Sequence, residues 1–188
     1  MSELSSRPSI RTVNEAFIDP FLDQRIRDFL VSCFPKDAAA FSRSRGWHGS
    51  MPTYSILMEN PREAQLIAHA SIVDRTIAAG SELVHIAGVQ NVCIAPSWRG
   101  QRLIDRLMHA AIDVARLRGF DLAMLFCTPA LCPVYARTGW QILSGCTFIK
   151  SSDASLDEPF QLNDAAMIYP LARDAIPAGV IDLRGNDW

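Results

Sequence analysis

The sequence contains no long apolar run and no marked excess of one kind of charge. No stretch approaches the ~20 consecutive apolar residues that a membrane-spanning helix requires, and residues 1–10 lack the apolar core of a secretory signal. The 18 basic and 20 acidic residues give a net charge of −2, which offers no basic surface for nucleic acid. We therefore expect a cytoplasmic protein that binds neither membranes nor nucleic acid.

Cysteine is too sparse to support a disulfide framework or a metal site. The five cysteines are an odd number in a chain without a secretory signal. Only Cys127 and Cys132 lie close together, and neither a second close pair nor a histidine accompanies them. We expect reduced, buried thiols and no bound metal.

Length and composition favour one folded domain. The chain has 188 residues, of which 49% are hydrophobic and 20% charged, a balance that can bury a substantial core. We expect a single domain over residues 1–188.

A strand, a turn and a helix follow one another in the middle of the chain. Residues 84–94 are mostly β-branched or small, as in a buried strand, and Pro96 ends the pairing because proline has no N–H to donate. From about Arg99, apolar residues recur at helical spacing until Gly119, a typical helix stop. The free N–H groups and the dipole at the start of such a helix attract anions, so we expect a diphosphate as the ligand there.

Two motifs occur in order in and after this unit. Residues 96–108 read PSWRGQRLIDRLM, and residues 135–140 read YARTGW. They resemble the two signatures of the GNAT superfamily of N-acyltransferases, V-x-P-x-x-R-G-x-G-x-G/A and Y-x-x-x-G-F/W, with Arg102 and Ile104 where small residues are usual. The stretch WRGQRL is most similar to the aminoglycoside 2′-N-acetyltransferases, and residues 42–49 faintly resemble nodulation-type N-acyltransferases.

The resemblance implies both a fold and a co-substrate. The implied fold class is α+β, with a mixed sheet in which an antiparallel meander precedes a βαβα acyl-CoA-binding unit. Acetyl-CoA, or another acyl-CoA, is the implied co-substrate. The residues that the resemblance assigns to its binding are Val92, Cys93, Ile94, Arg99, Gly100, Gln101, Arg102, Leu103 and Ile104.

The N-terminal half agrees with this order of elements. After a polar start that we expect to be loose from Ser2 to Arg11, Asp19 and Pro20 are typical cap and first-turn residues of a helix that runs to about Cys33.

A loop and a hairpin follow that helix. Residues 53–58 and 65–77 have the pattern of two strands joined by a turn. Before them, residues 37–52 form a long loop in which Trp47 either contacts a ligand or anchors the loop in the core.

Acetyl transfer to an amine requires a proton acceptor, a donor to the developing oxyanion and a proton for the leaving thiolate. Tyr135 matches the tyrosine that the family places near the sulfur, and its alternative role is that of a core aromatic. The resemblance places the oxyanion donor at a backbone N–H near Val92 or Cys93. Gln90 stands where the aminoglycoside branch has an acidic residue, and we expect it to orient substrate or a water. His85 lies on the opposite face of the strand and is expected to be structural.

The C-terminal part is expected to add strands and to reach the acceptor. Residues 141–149 and 166–171 have strand character, with a polar loop over residues 150–163 between them. The end of the chain resembles the aminoglycoside branch, so that Asp187 and the Trp188 carboxylate would hold a cationic amine. The alternative is a frayed tail.

These expectations define an N-acetyltransferase that moves an acetyl group from acyl-CoA to the primary amine of a small molecule, such as an amino sugar or an aminoglycoside. The amine would attack directly in a ternary complex. Two alternatives stay open: a nodulation-type enzyme that transfers a longer acyl chain, and a non-catalytic acyl-CoA-binding module. Gln90 in place of an acid and Arg102 in place of glycine favour the module. GNAT proteins often dimerise, so a homodimer is the implied assembly.

Overall fold

The computed structural model describes residues 7–63, 65–152, 155–160 and 164–188, which form a ten-stranded mixed sheet with helices packed on it. The strands are β1 (Ser9–Asn14), β2 (Tyr54–Asn60), β3 (Gln65–Ala79), β4 (Glu82–Ile94), β5 (Leu122–Cys127), β6 (Gln141–Ile142), β7 (Cys146–Ser152), β8 (Ser155–Phe160), β9 (Ala165–Pro170) and β10 (Gly179–Asp182). The helices are α1 (Pro20–Cys33), α2 (Ala38–Phe41), α3 (Leu103–Leu117) and α4 (Cys132–Ala136). None of these helices has the length and apolar character needed to cross a bilayer.

The long strand β3 organises the sheet. One of its edges pairs antiparallel with β4, and its other edge is shared, first by β2 and then, at Ala78 and Ala79, by β10. Strand β10 continues the sheet through parallel pairing with β7, which pairs in turn with β8. Beyond β4 the order is β5, β9 and β6.

The sheet opens between β4 and β5. These parallel neighbours pair only where residues 86–88 meet residues 122–124, and beyond that point they separate. A bulge lies in the open part of β4, because β4 has one residue more than β3 between Gln90 and Cys93. Asn91 lies in the bulge with a φ of +54°, a left-handed conformation that asparagine adopts more readily than most residues.

Helices α3 and α1 cover opposite faces of the sheet. Helix α3 packs against Ile56 and Ile72, whereas α1 packs against Leu57. Adjacent strand residues point to opposite faces, so Ile56 and Leu57 identify the two sides. The α3 side chains buried at this contact are Leu103, Leu107, Met108, Ala111, Ile112 and Ala115.

Several sequence predictions are confirmed. Helix α1 begins at Pro20, and the Asp19 carboxylate accepts the Leu22 N–H at 2.8 Å, as expected of an N-cap. The hairpin of β2 and β3 and the β4–α3–β5 unit are also present. The expected loose start is not described up to residue 6, and β1 already begins at Ser9.

Other predictions are corrected. Helix α3 begins at Leu103 rather than near Arg99, because a 3-10 turn at Pro96–Trp98 is followed by left-handed backbone at Gly100 (φ +79°) and Arg102 (φ +57°). A continuous strand over residues 141–149 is wrong, because the chain turns at Gly145 (φ +73°) between β6 and β7.

The predicted loop over residues 150–163 is also wrong in part. Strand β7 continues to Ser152, and β8 lies within the range that was expected to be a loop. Residues 153, 154 and 161–163 lie outside the described residues.

Candidate active site

Two cavities meet where the sheet opens. The first, the helix cavity, has a volume of about 430 Å³ and lies at the start of α3. The second, the fork cavity, has a volume of about 370 Å³ and lies between the separated ends of β4 and β5. The side chains that line both cavities are Phe34, Val92, Leu131 and Tyr135. The two cavities are therefore adjacent, and these four residues form their common lining.

The helix cavity is suited to a polyanion. The first turn of α3 has no side-chain N-cap, so a ligand can accept from its N–H groups other than that of Asp105, which donates to the Arg102 carbonyl at 3.1 Å. Three residues that carry a guanidinium charge line the same cavity: Arg99, Arg102 and Arg137. The nearby Asp105 pairs with Arg137 at 2.8 Å and lies 3.8 Å from Arg102, which leaves an excess of positive charge.

Arg102 does not obstruct this cavity although it occupies a position where the family usually has a small residue. Its backbone adopts the left-handed conformation for which glycine is normally selected. Its side chain is 77% exposed and therefore lies mainly in solvent. The backbone at the helix start therefore remains accessible to a diphosphate.

The structure brings most of the predicted acyl-CoA-binding residues together. Gln101 is exposed and does not line the helix cavity, whereas Trp98 and Arg137 do line it and were not predicted. Arg137 is the third residue of the YARTGW motif, which is the sequence signal for its position. The predicted residues that line the cavity are Val92, Cys93, Ile94, Arg99, Gly100, Arg102, Leu103 and Ile104.

Tyr135 lies at the junction of the two cavities. Its ring is almost completely buried and packs edge-on against Trp140 at 6.5 Å between centroids. Burial, followed by the proximity of Cys127 and Cys93, raises the pKa of Tyr135 well above its usual value. The hydroxyl thus keeps its proton and can donate a hydrogen bond at the junction.

Cys127 also lines the fork cavity, but its surroundings do not activate it. Its sulfur lies 3.9 Å from that of Cys132. Burial and this neighbouring thiol raise the pKa of Cys127 to about 12, so the nucleophilic thiolate is scarce at neutral pH. A covalent acyl-cysteine is therefore not supported.

Gln90 holds a loop rather than pointing a free amide into the cavity. Its Oε1 accepts the Trp47 N–H at 3.1 Å, and its Nε2 donates to the Ser50 carbonyl at 2.9 Å. The next residue, Asn91, donates from Nδ2 to the Arg45 carbonyl at 2.7 Å. The opened part of β4 thereby fixes residues 45–50 above the fork cavity.

The bulge in β4 is in turn held from β3. His69 is 1% exposed, and its Nδ1 donates to the Asn91 carbonyl at 3.0 Å. Burial lowers the pKa of His69 to about 4, with the Asn91 carbonyl opposing and the charge of Arg45 assisting this shift. His69 is therefore neutral at physiological pH and acts as a hydrogen-bonding brace.

Trp47 anchors its loop in the core, which is one of the two roles that the sequence left open. Its ring packs against Phe34 and Phe41 at 6.0 and 5.6 Å, which joins it to the core around α1. The same residue lines the fork cavity.

Asp187 and Trp188 are buried against the fork cavity and do not form a frayed tail. One oxygen of the Asp187 carboxylate is 2.7 Å from His48 Nδ1, and the other bonds to Lys150 Nζ. Burial opposes ionisation, but these hydrogen bonds outweigh it and hold the pKa of Asp187 below its usual value. The Trp188 indole N–H donates to the Met124 carbonyl at 3.2 Å. His48 was not singled out by the sequence, because its partner is 139 residues away.

A sheet that opens beside a basic helix start is the arrangement that we expect of an acyl-CoA-dependent acyltransferase. Residues 9–143 match the acetyltransferase (GNAT) domain, and the chain belongs to that family. It is a GNAT-type N-acetyltransferase, a transferase that uses acyl-CoA, with the mixed α+β fold of the family.

Solved structures of low sequence identity share this fold. YhbS from Escherichia coli, a GNAT family N-acetyltransferase in complex with CoA, is 17% identical with a TM-score of 0.68, and the match covers 98% of this chain and 93% of that one. ElaA from Escherichia coli is 14% identical with a TM-score of 0.61, over 87% and 99% of the two chains. An acyl-CoA N-acyltransferase from Pseudomonas aeruginosa is 14% identical with a TM-score of 0.59, over the same shares.

Proposed function

We propose that the protein transfers an acetyl group from acetyl-CoA to the primary amine of a small molecule, by direct attack in a ternary complex. The observation that supports this most is the junction of the two cavities at Tyr135. A donor that enters from the helix cavity and an acceptor that enters from the fork cavity would meet there.

The helix cavity supplies the donor site. The start of α3 and the three guanidinium groups of Arg99, Arg102 and Arg137 would bind the diphosphate of the co-substrate. The thioester would then lie near Val92 and Tyr135, which line both cavities.

The chemistry at the junction follows from these groups. The neutral amine nitrogen forms a bond to the carbonyl carbon, the C–S bond breaks, and its electron pair stays on sulfur. A backbone N–H of the bulge near Val92 or Cys93 would donate to the carbonyl oxygen. The Tyr135 hydroxyl would hydrogen bond to the leaving sulfur and assist its protonation.

The fork cavity favours a small acceptor. Its volume falls in the range of small-molecule sites. The aromatic rings of Trp47, Phe126 and Trp188 offer flat apolar surfaces, and Asp164 adds a carboxylate to the lining. An amino sugar, which combines apolar ring faces with an ammonium group, suits this combination, and the terminal residues extend the resemblance to aminoglycoside acetyltransferases.

Two experiments test the proposal. A thermal-shift titration with CoA, acetyl-CoA and a long-chain acyl-CoA should show stabilisation by acetyl-CoA, since a ligand that binds only the folded state raises the melting temperature. Thiol release from acetyl-CoA is then followed across a panel of amino sugars, aminoglycosides and simple alkylamines.

Each outcome separates the candidates. Stabilisation by acetyl-CoA with thiol release that depends on the amine supports the proposal. Stabilisation by the long-chain thioester alone would replace acetyl transfer with the nodulation-type reaction. Stabilisation by acetyl-CoA without turnover of any amine would identify a binding module.

We also infer a reducing compartment such as the cytoplasm. All five cysteines are free thiols, including the Cys127–Cys132 pair. The homodimer that the resemblance implies stays a prediction, which light scattering of the purified chain would measure.

A further inference from the structure

We infer that His48 is the proton acceptor for the amine substrate and that Asp187 positions it. This inference rests on the proposed function, because a proton acceptor has a role only if an amine is acylated. Its basis is a histidine–carboxylate pair at the edge of the fork cavity, both members of which line that cavity.

The geometry fixes which nitrogen of the ring is free. Asp187 is 6% exposed and ionised, so its Oδ2 accepts the proton on His48 Nδ1 across 2.7 Å. The neutral imidazole therefore carries no proton on Nε2. No described residue hydrogen bonds to Nε2, and the His48 side chain is 57% exposed. The free nitrogen can thus accept a proton and release it to solvent.

The surrounding loop is built to hold this histidine. His48 has a φ of +44°, an uncommon conformation for a residue other than glycine, which persists only when the surroundings impose it. The His48 carbonyl accepts a hydrogen bond from Asn186 Nδ2 at 2.9 Å, and Gln90 holds the residues on both sides. The strained backbone and its anchors are what preorganisation of a reacting group requires.

The other charges near the pair are compatible with this role. Lys150 pairs with Oδ1 of Asp187, whereas His48 pairs with Oδ2, so the charge of Lys150 balances the charge of the Asp187 carboxylate. The Arg75 guanidinium bonds to the Asn186 carbonyl and to Ser50 Oγ, and it lies over the Trp188 ring. Asp164, across the fork cavity, is a carboxylate that can attract the ammonium form of the substrate.

The proton balance of the reaction is complete. The ammonium form of the substrate gives one proton to His48 Nε2, and the neutral amine forms the C–N bond as the C–S bond breaks. The second proton that leaves the nitrogen ends on the CoA sulfur. His48 then releases its proton to water, so one ammonium ion and one thioester yield one amide, one thiol and one proton.

The variant His48→Gly tests the inference. Glycine adopts a positive φ without steric cost, so this change removes the imidazole and leaves the loop conformation accessible. We expect kcat/KM to fall about 100-fold while the Kd of acetyl-CoA changes less than about twofold, since His48 does not line the helix cavity. Added imidazole should restore part of the lost rate, which a purely structural role would not allow.

The chain offers a matched control and a test of the positioning residue. His85 also pairs with a carboxylate, Asp74, at 2.7 Å, but it packs on Phe120 and lines neither cavity. His85→Gln should leave kcat/KM and its pH profile unchanged. Asp187→Asn should lower kcat/KM less than His48→Gly and move the acid limb of the pH profile, with acetyl-CoA stabilisation retained.

The outcomes distinguish failure of this inference from failure of the proposed function. If the unmodified chain acetylates no amine, the proposed function fails and the inference fails with it. If the unmodified chain is active and His48→Gly keeps the same rate and pH profile, only the assignment of the base is overturned. A reduced rate without rescue by imidazole, accompanied by loss of acetyl-CoA stabilisation, also overturns it.

Discussion

The Trp188 indole occupies the space that a side chain on Gly88 would need. A Cβ placed on Gly88 would lie 2.5 Å from Cε2 of the indole and 2.8 Å from Nε1. Gly88 is also the last residue of β4 that pairs with β5. Because Gly88 has no side chain, the Trp188 ring can pack at the point where β4 and β5 separate.

Gly88→Ala is expected to destabilise the protein by about 1–3 kcal/mol, because the methyl group must displace the indole or shift the strand. The free energy of unfolding in urea measures this cost. The same substitution made in a Trp188→Ala background should cost clearly less, since the clashing ring is gone. Equal costs in both backgrounds would show that the contact does not limit residue 88.

Tyr135→Phe is expected to lower kcat about 100-fold and to leave the Kd of acetyl-CoA nearly unchanged, because only the hydroxyl at the junction is lost. Stopped assays of thiol release and a binding titration give the two values. Tyr169→Phe is the control, since Tyr169 packs against Trp140 and lines neither cavity. Equal turnover of Tyr135→Phe and the parent would remove Tyr135 as the acid.

Arg99→Gln is expected to weaken binding of acetyl-CoA about tenfold, equivalent to ~1.4 kcal/mol, because one charged donor to the diphosphate is lost. Binding of acetyl-pantetheine, which has no diphosphate, should not change. The control is Arg116→Gln, at the far end of α3, where the arginine pairs with Asp113. A similar loss of affinity for acetyl-CoA and acetyl-pantetheine would show that Arg99 does not act through the diphosphate.

Gln90→Glu separates the observed role of Gln90 from the role of the acidic residue in the aminoglycoside branch. A carboxylate cannot donate to the Ser50 carbonyl, so the loop that holds His48 should loosen, at a cost of about 1–3 kcal/mol. We expect lower activity and lower stability. Gln65→Glu introduces the same charge at an exposed strand position and is the control. Activity above the parent would indicate that a carboxylate at residue 90 serves as the base.

The buried His69 predicts how stability depends on pH. Its pKa is about 4 in the folded protein, against an ordinary value of 6.5, so between these values the unfolded chain binds more protons. Stability is complete above pH 6.5 and falls as the pH drops towards 4, by about 3 kcal/mol. Urea unfolding across this range should show the slope, which His69→Gln should flatten and His109→Gln, at an exposed position of α3, should not. An unchanged slope in His69→Gln would contradict the prediction.

Features that depend on neighbouring residues were predictable from the sequence. The cap of α1, the hairpin of β2 and β3, and the helix after the WRGQRL stretch are set by local spacing and by residues with strong local preferences. The donor residues could be assigned only through the resemblance to the GNAT motif, which covers them because most of them lie within residues 92–104.

Features that depend on distant pairing were not predictable. The insertion of β10 between β3 and β7 follows from long-range registry, which no local pattern encodes. The break at Gly145 differs from these features, because Ser144-Gly145 is a local turn signal that the prediction of one strand over residues 141–149 overlooked. His48 became a candidate only when the fold placed Asp187 beside it.

The donor half of the site, which is the helix cavity, and the acceptor half, which is the fork cavity, are built from different segments of the chain. On the proposed function, the donor half comes mainly from two short segments, residues 92–104 and 131–137. The acceptor half combines residues 47–48, 89–92, 125–128, 164 and 187–188. Substitutions in the acceptor segments can therefore alter which amine is recognised while the donor segments stay intact. In evolutionary terms, a lineage with this architecture can acquire new acceptors by drift in its loops and terminus while it retains one metabolic source of acyl groups.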